Sequence, residues 1–201
     1  MENKKLVIFD FDGVLVDTLE PSFAINVEVK PDLSLEEFKS FHEGNIHEAI
    51  ASGRKKPIPD FDKRFRARTR ELKVHKEFKE ILQNLLLKYT LVIVSSASTS
   101  IIKEILDRDN IANVFSDIFG SDVSKNKVVK IKMLLEKYDI TPENTVFITD
   151  TLGDIYEAFE CSIKSIAVTW GYHTKETLLK GDPFAIINNP NDLIPTIQKI
   201  L

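Results

Sequence analysis

Asp10 and Asp12 flank Phe11 at the end of the apolar run Leu6-Val7-Ile8-Phe9, and Gly13 follows them directly. Residues two apart in an extended chain point to the same side, so the two carboxylates face one way and Phe11 the other. Asp150 ends a second apolar run, Thr145-Val146-Phe147-Ile148-Thr149, with Asp154 four residues further on, past Gly153. A third run, Leu91-Val92-Ile93-Val94, stops at Ser95 and Ser96. Three carboxylates around one point repel each other unless a cation joins them, and an oxygen-only donor set suits Mg²⁺. A carboxylate can also be a nucleophile that forms an acyl phosphate. Phosphoryl transfer spreads negative charge over three oxygens, so such a site needs hydrogen-bond donors as well as a metal. The Ser95 hydroxyl and the backbone N–H groups after Asp10, beginning with Phe11, supply donors. A lysine would complete the set.

These residues reach one place only if their strands are parallel neighbours. Runs of four or five apolar residues suit strands buried on both faces, and open parallel sheets bind ligands at the carboxyl ends of their strands. Amphipathic helices alternate with the strands. Phe78, Ile81, Leu82, Leu85 and Leu86 mark one, Ile101, Ile102, Ile105 and Leu106 another, and Val128, Ile131, Leu134, Leu135 and Tyr138 a third, which Asn126 can cap. Short strands are expected near 118–119, over 165–168 and over 184–187, with a helix at the end. The pattern predicts an α/β fold, a three-layer Rossmann-like parallel sheet covered on both faces. Residues 16–74 break it. They carry no strand-like run and are divided by Pro21, Pro31, Gly53, Pro57 and Pro59. Ser34-Leu35-Glu36-Glu37 is a capping-box sequence for a helix to about His42, and Asp60 is placed to cap another whose stripe is Phe61, Phe65 and Leu72. A core of 1–15 and 75–201 with a small helical insert is the expected organisation.

With 201 residues, 43% hydrophobic and 29% charged, the chain matches a soluble globular protein with one substantial core. Its net charge of −4 argues against a nucleic-acid polymer as partner. The single cysteine, Cys161, precludes an intrachain disulfide and fits a reducing cytoplasm. Glu2, Lys4 and Lys5 before a short apolar run predict neither a signal peptide nor a membrane span.

The segments L-V-I-F-D10-F-D12-G-V-L-V-D-T, L-V-I-V-S95, a lysine ahead of a helix, and V-F-I-T-D150-T-L-G-D154 resemble the four motifs of the haloacid dehalogenase superfamily. The similarity is greatest to its helical-cap branch, which includes phosphoglycolate phosphatase and β-phosphoglucomutase, and the insert falls where that branch carries its cap. The resemblance implies an Mg²⁺-dependent phosphatase acting on a small phosphorylated metabolite. Asp10 would attack phosphorus, Asp12 would act as general acid and then base, and Ser95 would bind a phosphoryl oxygen. Asp10, Asp150 and the backbone carbonyl of Asp12 would hold Mg²⁺, with Asp154 ligating it directly, through water, or orienting the lysine. Lys127 is favoured over Lys125, since the run Lys127-Val128-Val129-Lys130-Ile131 lacks the Lys-Pro step that would favour the earlier position. Phe11, Thr18 and Ser96 complete the residues expected at the substrate.

Thr149 stands where many relatives carry Gly, a change expected to matter little. Asp12 points to phosphate esters rather than carbon–halogen bonds. The mutases of this branch carry a His just beyond the Asp-Thr, where this chain has Pro21 and Ser22, so a phosphomutase is the second reading and a catalytically silent binding module the third. No cap lysine stands out as a Schiff-base former of the phosphonatase kind. Arg54, Lys55, Lys56, Arg64, Arg66, Arg68 and Arg70 read as a solvated face, because residues two apart diverge on a helix. His42, His47 and His75 read as surface or packing residues. Trp170-Gly171-Tyr172 fits the site rim and core packing equally.

Overall fold

The computed structural model describes residues 4–201. Six parallel strands form one sheet: β1 (Leu6–Phe9), β2 (Thr90–Val94), β3 (Asp117–Phe119), β4 (Thr145–Thr149), β5 (Lys164–Val168) and β6 (Ala185–Ile187), in the order β3-β2-β1-β4-β5-β6. The chain builds outward from β1 to β3, then returns to the other side of β1 with β4. That reversal opens a crevice beyond the carboxyl ends of β1 and β4. Phe9 is in register with Ile93 on one side and Ile148 on the other. Asp10, Ser95 and Asp150, which follow β1, β2 and β4, therefore emerge along one edge.

All four β1 side chains are fully buried, as a central parallel strand requires. Their alternation divides the core. Val7 and Phe9 face a cluster with α5 (Phe78–Leu86), α6 (Thr99–Arg108) and α10 (Leu193–Ile200); Leu6 and Ile8 face α7 (Lys127–Tyr138) and α8 (Leu152–Glu160). Phe9 meets the rings of Phe78 and Phe115 edge-on, at centroid distances of 6.3 and 6.1 Å, a favoured aromatic geometry. On α5, Leu86 is 45% exposed and leaves the expected stripe to the other four residues. The short helix α9 (Lys175–Leu179) joins β5 to β6.

Between β1 and α5 lie α1 (Leu19–Val29), α2 (Leu35–Ser40), α3 (Ile46–Ala51) and α4 (Phe61–Arg68). Ser34 caps α2 by accepting from Glu37 N–H, while the Glu37 carboxylate turns to Lys30 instead of closing a reciprocal box. Asp60 does not cap α4: its backbone is left-handed, with φ 53°, and its side chain makes no capping bond. The insert is not packed as an isolated unit. Ile25 and Phe65 join the main core cluster, and a smaller cluster of Leu33, Phe38 and Phe41 is closed by Tyr172 from beyond β5.

Candidate active site

Asp10 lies just past β1, where its Oδ1 accepts from Phe11 N–H at 2.8 Å. The Phe11 ring points into the core, and its N–H is spent on Asp10. Gly13, at φ +73°, turns the chain away. A Cβ on Gly13 would lie 2.0 Å from Asp150 Oδ2, and one on Gly171 2.2 Å from it. The two glycines therefore let backbone from two loops close over Asp150. Asp150 is fully buried behind the cavity wall, with Oδ2 accepting from Tyr172 N–H at 2.7 Å.

Lys127 opens α7, capped by Asn126, whose side chain accepts from Val129 N–H. Its Nζ lies 3.0 Å from Asp10 Oδ1 and 2.6 Å from Asp154 Oδ2, and all three side chains are almost wholly buried. Thr149 donates to the same Asp154 oxygen at 2.7 Å, so its hydroxyl matters more than the sequence indicates. Asp154 is thus in direct contact with the lysine. Lys125 is exposed at the cavity rim. Ser95 donates to Asp12 Oδ2 at 3.3 Å and accepts from Ala97 N–H at 3.0 Å. Beneath it, buried Lys130 donates to the Ser95 carbonyl at 2.5 Å and anchors the end of β2.

Four aspartates and one lysine leave this pocket with excess negative charge. Burial raises the Asp10 carboxyl well above its ordinary range, with the neighbouring acids adding to the shift and Lys127 opposing it. Burial also raises Asp12, against hydrogen bonds from Thr18 and Ser95, and lifts Asp150 to about 7. Asp154 is pushed up by burial too, but the Lys127 ammonium outweighs that and holds it low. Burial works against the charge on Lys127, and Asp10 and Asp154 more than restore it. Asp150 Oδ1 and Asp12 Oδ1 are buried without a hydrogen-bond partner. No three acidic, histidine or cysteine side chains form a ready cage among the described residues. An orphaned carboxylate oxygen, surplus buried negative charge and a purely oxygen donor set nonetheless fit Mg²⁺, which keeps several waters and needs only one or two carboxylates.

Above these residues is a cavity of about 300 Å³, with Asp10, Asp12, Ser96, Lys127 and Asp154 on its core side. Thr18 is not on its wall. It is fully buried, with its hydroxyl 3.2 Å from that of Tyr172, because α1 begins there and packs that side chain inward. Tyr172 itself does line the cavity, as do His42, Asn45, His47 and Lys55 from the insert. His42 and His47 are therefore cavity residues, so imidazoles do stand near the acids; His75 packs against Phe78. Lys55 is buried, unlike the solvated lysine its neighbours suggest. Arg64 and Arg68 pair with Glu28, and Arg66 with Glu104. Only the fold could reveal the insert's contribution, because its cavity residues come from several short helices and the turns between them and follow no repeating pattern.

The insert is closed onto the core. Asn45 donates to Glu157 at 2.8 Å, Gly153 N–H to His42 O at 3.1 Å, and His173 links Lys39 O to Leu152 N–H. Because His173 Nδ1 accepts from Leu152, its Nε2 is the donor to Lys39.

The sheet order, the acids at the ends of β1 and β4, and the buried lysine between them define a Rossmann-like phosphoryl-transfer type of site. The family model of haloacid dehalogenase-like hydrolases matches residues 7–168, and the chain belongs to that family of enzymes. It is 23% identical to a phosphoglycolate phosphatase of Vibrio cholerae, over 98% of both chains. A phosphoglycolate phosphatase of Aliivibrio fischeri is 24% identical, over 90% of this chain and 91% of that one. Among solved structures, a predicted phosphatase from Clostridium acetobutylicum superposes with a TM-score of 0.79 at 22% identity, covering 98% of this chain and 100% of that one. A haloacid dehalogenase-like hydrolase from Streptococcus pneumoniae gives a TM-score of 0.76 at 23% identity, covering 97% and 99%. At this identity the solved structures speak for the fold alone.

Proposed function

We propose that the protein is an Mg²⁺-dependent phosphatase that hydrolyses a small phosphomonoester through an aspartyl-phosphate on Asp10, with residues 16–74 as its cap. The observation that carries this is Asp10 Oδ1 held by Lys127 and Phe11 N–H. Those bonds orient the carboxylate and leave its other oxygen for phosphorus. That oxygen forms the new P–O bond as the ester P–O bond breaks, and Asp12 gives its proton to the departing alkoxide. A raised carboxyl pKa favours that role. Asp12 then takes a proton from water, whose oxygen attacks phosphorus and releases Asp10 and inorganic phosphate. Ser95, Ser96 and Lys127 bind the phosphoryl oxygens. Asp10, Asp150 and the Asp12 carbonyl would hold Mg²⁺, which supplies charge neutralisation for those oxygens. The closed cap excludes water from the first step.

The names of the two phosphoglycolate phosphatases support a small phosphorylated substrate. No helix among the described residues is long and apolar enough to cross a membrane, and the lone buried thiol of Cys161 fits the cytoplasm. The test is phosphate release from a panel of phosphorylated metabolites with Mg²⁺ present, and Asp10→Asn as control. Release by the wild type alone supports the reading. Equal inertness of both would favour a silent module. Isomerisation without free phosphate, dependent on a bisphosphate primer, would favour a mutase.

A further inference from the structure

Asn45 stands just ahead of α3, and its side-chain amide is fully engaged. Oδ1 accepts from the His47 and Glu48 N–H groups at 2.9 and 3.3 Å, which caps α3. Nδ2 donates across the seam between insert and core, to Glu157 Oε1 at 2.8 Å and to the Lys125 carbonyl at 3.3 Å. A primary amide offers two N–H groups and two oxygen lone pairs, so its whole capacity is used and its orientation is fixed. Glu157 Oε1 also accepts from Lys127 N–H at 3.3 Å. The amide therefore grips the start of α7 directly at Lys125 and, through Glu157, at Lys127.

The other bonds that hold the insert closed do not reach this helix. Gly153 N–H to His42 O and the His173 bridge both end on α8. Arg66 donates to Ser100 and Arg108 to the Thr69 carbonyl, which ties the insert to α6. Among the described residues, the hydrogen bonds between the insert and the start of α7 are those of Asn45. That turn carries Lys127, whose ammonium lies 3.0 Å from Asp10 Oδ1. Displacing a catalytic group by about 1 Å costs on the order of 10²-fold in rate, so what holds the turn also holds the chemistry.

We infer that Asn45 is a positioning residue: docking of the insert fixes the 125–127 turn through this amide, and with it the Lys127 ammonium opposite Asp10. This rests on the phosphatase reading for what Lys127 does there. It goes beyond that reading by linking closure of the insert to assembly of the phosphoryl site. The lysine is then fully set only when the cavity is shut, which reserves catalysis for the closed enzyme.

The test uses Asn45→Ser. Ser and Asn cap helices about equally well, so α3 keeps its cap, but the shorter side chain cannot reach Glu157 or the Lys125 carbonyl. With p-nitrophenyl phosphate as probe and Mg²⁺ present, turnover should fall about tenfold, the loss lying in kcat rather than KM. In Lys127→Met the same substitution should lower kcat by less than about twofold, because it acts through that lysine. An unchanged kcat in Asn45→Ser, or losses that multiply in the double variant, overturns the inference while leaving the phosphatase reading intact. Amide hydrogen exchange, followed by mass spectrometry without substrate, is read separately. Asn45→Ser should speed exchange across 124–131 and leave 101–106 as in the wild type. Equal exchange across 124–131 in the two proteins refutes the link whatever the activity, and faster exchange in both segments marks general destabilisation and also overturns it. If the wild type releases no phosphate, the phosphatase reading fails by itself, and faster exchange confined to 124–131 still supports the insert's hold on that turn.

Discussion

Lys127 Nζ and Asp154 Oδ2 lie 2.6 Å apart, both side chains almost wholly buried, and Thr149 Oγ1 approaches the same oxygen at 2.7 Å. The pair joins the start of α7 to the start of α8 across the sheet edge. It holds the ammonium where it can also reach Asp10, 3.0 Å away. Removing the cation would leave two buried carboxylates facing each other.

Lys127→Met is therefore expected to lower kcat by about 10³-fold and to cost about 3 kcal/mol of stability through the orphaned acids. Lys125→Met, at the exposed rim, should change kcat by less than about threefold. Steady-state kinetics and urea unfolding on both variants read this, and equal losses would reverse the assignment of the lysine.

Mg²⁺ should stabilise the fold, since it offsets the surplus charge of the aspartates and meets Asp150 Oδ1. At a hundredfold excess over its dissociation constant the gain is about 3 kcal/mol. That raises Tm by roughly 5–10 °C for a chain of this size. Chelation should reverse the shift and stop turnover. Asp150→Asn should show no Mg²⁺-induced shift; a full shift in that variant would remove Asp150 from the ligand set.

Burial lowers the His42 pKa to about 3, against 6.5 in a free chain. Below pH 6.5 the unfolded chain takes up a proton that the folded one refuses. Stability contributed by this group is complete above 6.5 and declines as pH falls towards 3, by up to about 1.4 kcal/mol per pH unit. His42→Phe keeps the ring against Phe38 and Tyr172 and should flatten the stability profile between pH 6.5 and 4.5. Denaturant midpoints measured across that range decide it, parallel profiles being the contrary result.

A Cβ on Gly153 would lie 2.5 Å from the Gly44 carbonyl oxygen of the cap. Alanine favours a helix interior by about 1 kcal/mol, so α8 itself should not suffer in Gly153→Ala. The clash instead falls on cap closure. We expect kcat/KM to drop about tenfold with little change in Tm. A drop in Tm of many degrees would place the damage in the core.

Some of this was legible in the residues alone. The apolar runs ending in Asp10, Ser95 and Asp150 were enough for a buried parallel sheet with acids on one edge, because strand burial and side-chain alternation are local properties. Asn126 as the cap of α7 was legible for the same reason. Other features depend on residues distant in the chain. Asp60 has a capping side chain, yet its left-handed backbone turns it away from the helix. Thr18 has a suitable hydroxyl, yet the packing of α1 buries it beside Tyr172.

The order of residue types along the chain determined the sheet, the place of the insert and the acids at the strand ends, because these follow from local hydrophobic patterning. Only tertiary structure decided that Lys127 rather than Lys125 faces Asp10, that Thr149 steadies Asp154, and that His42, His47 and Lys55 line the cavity. Each depends on contacts between segments tens of residues apart, and desolvation, which gives those side chains their altered acidity, exists only once the segments have packed.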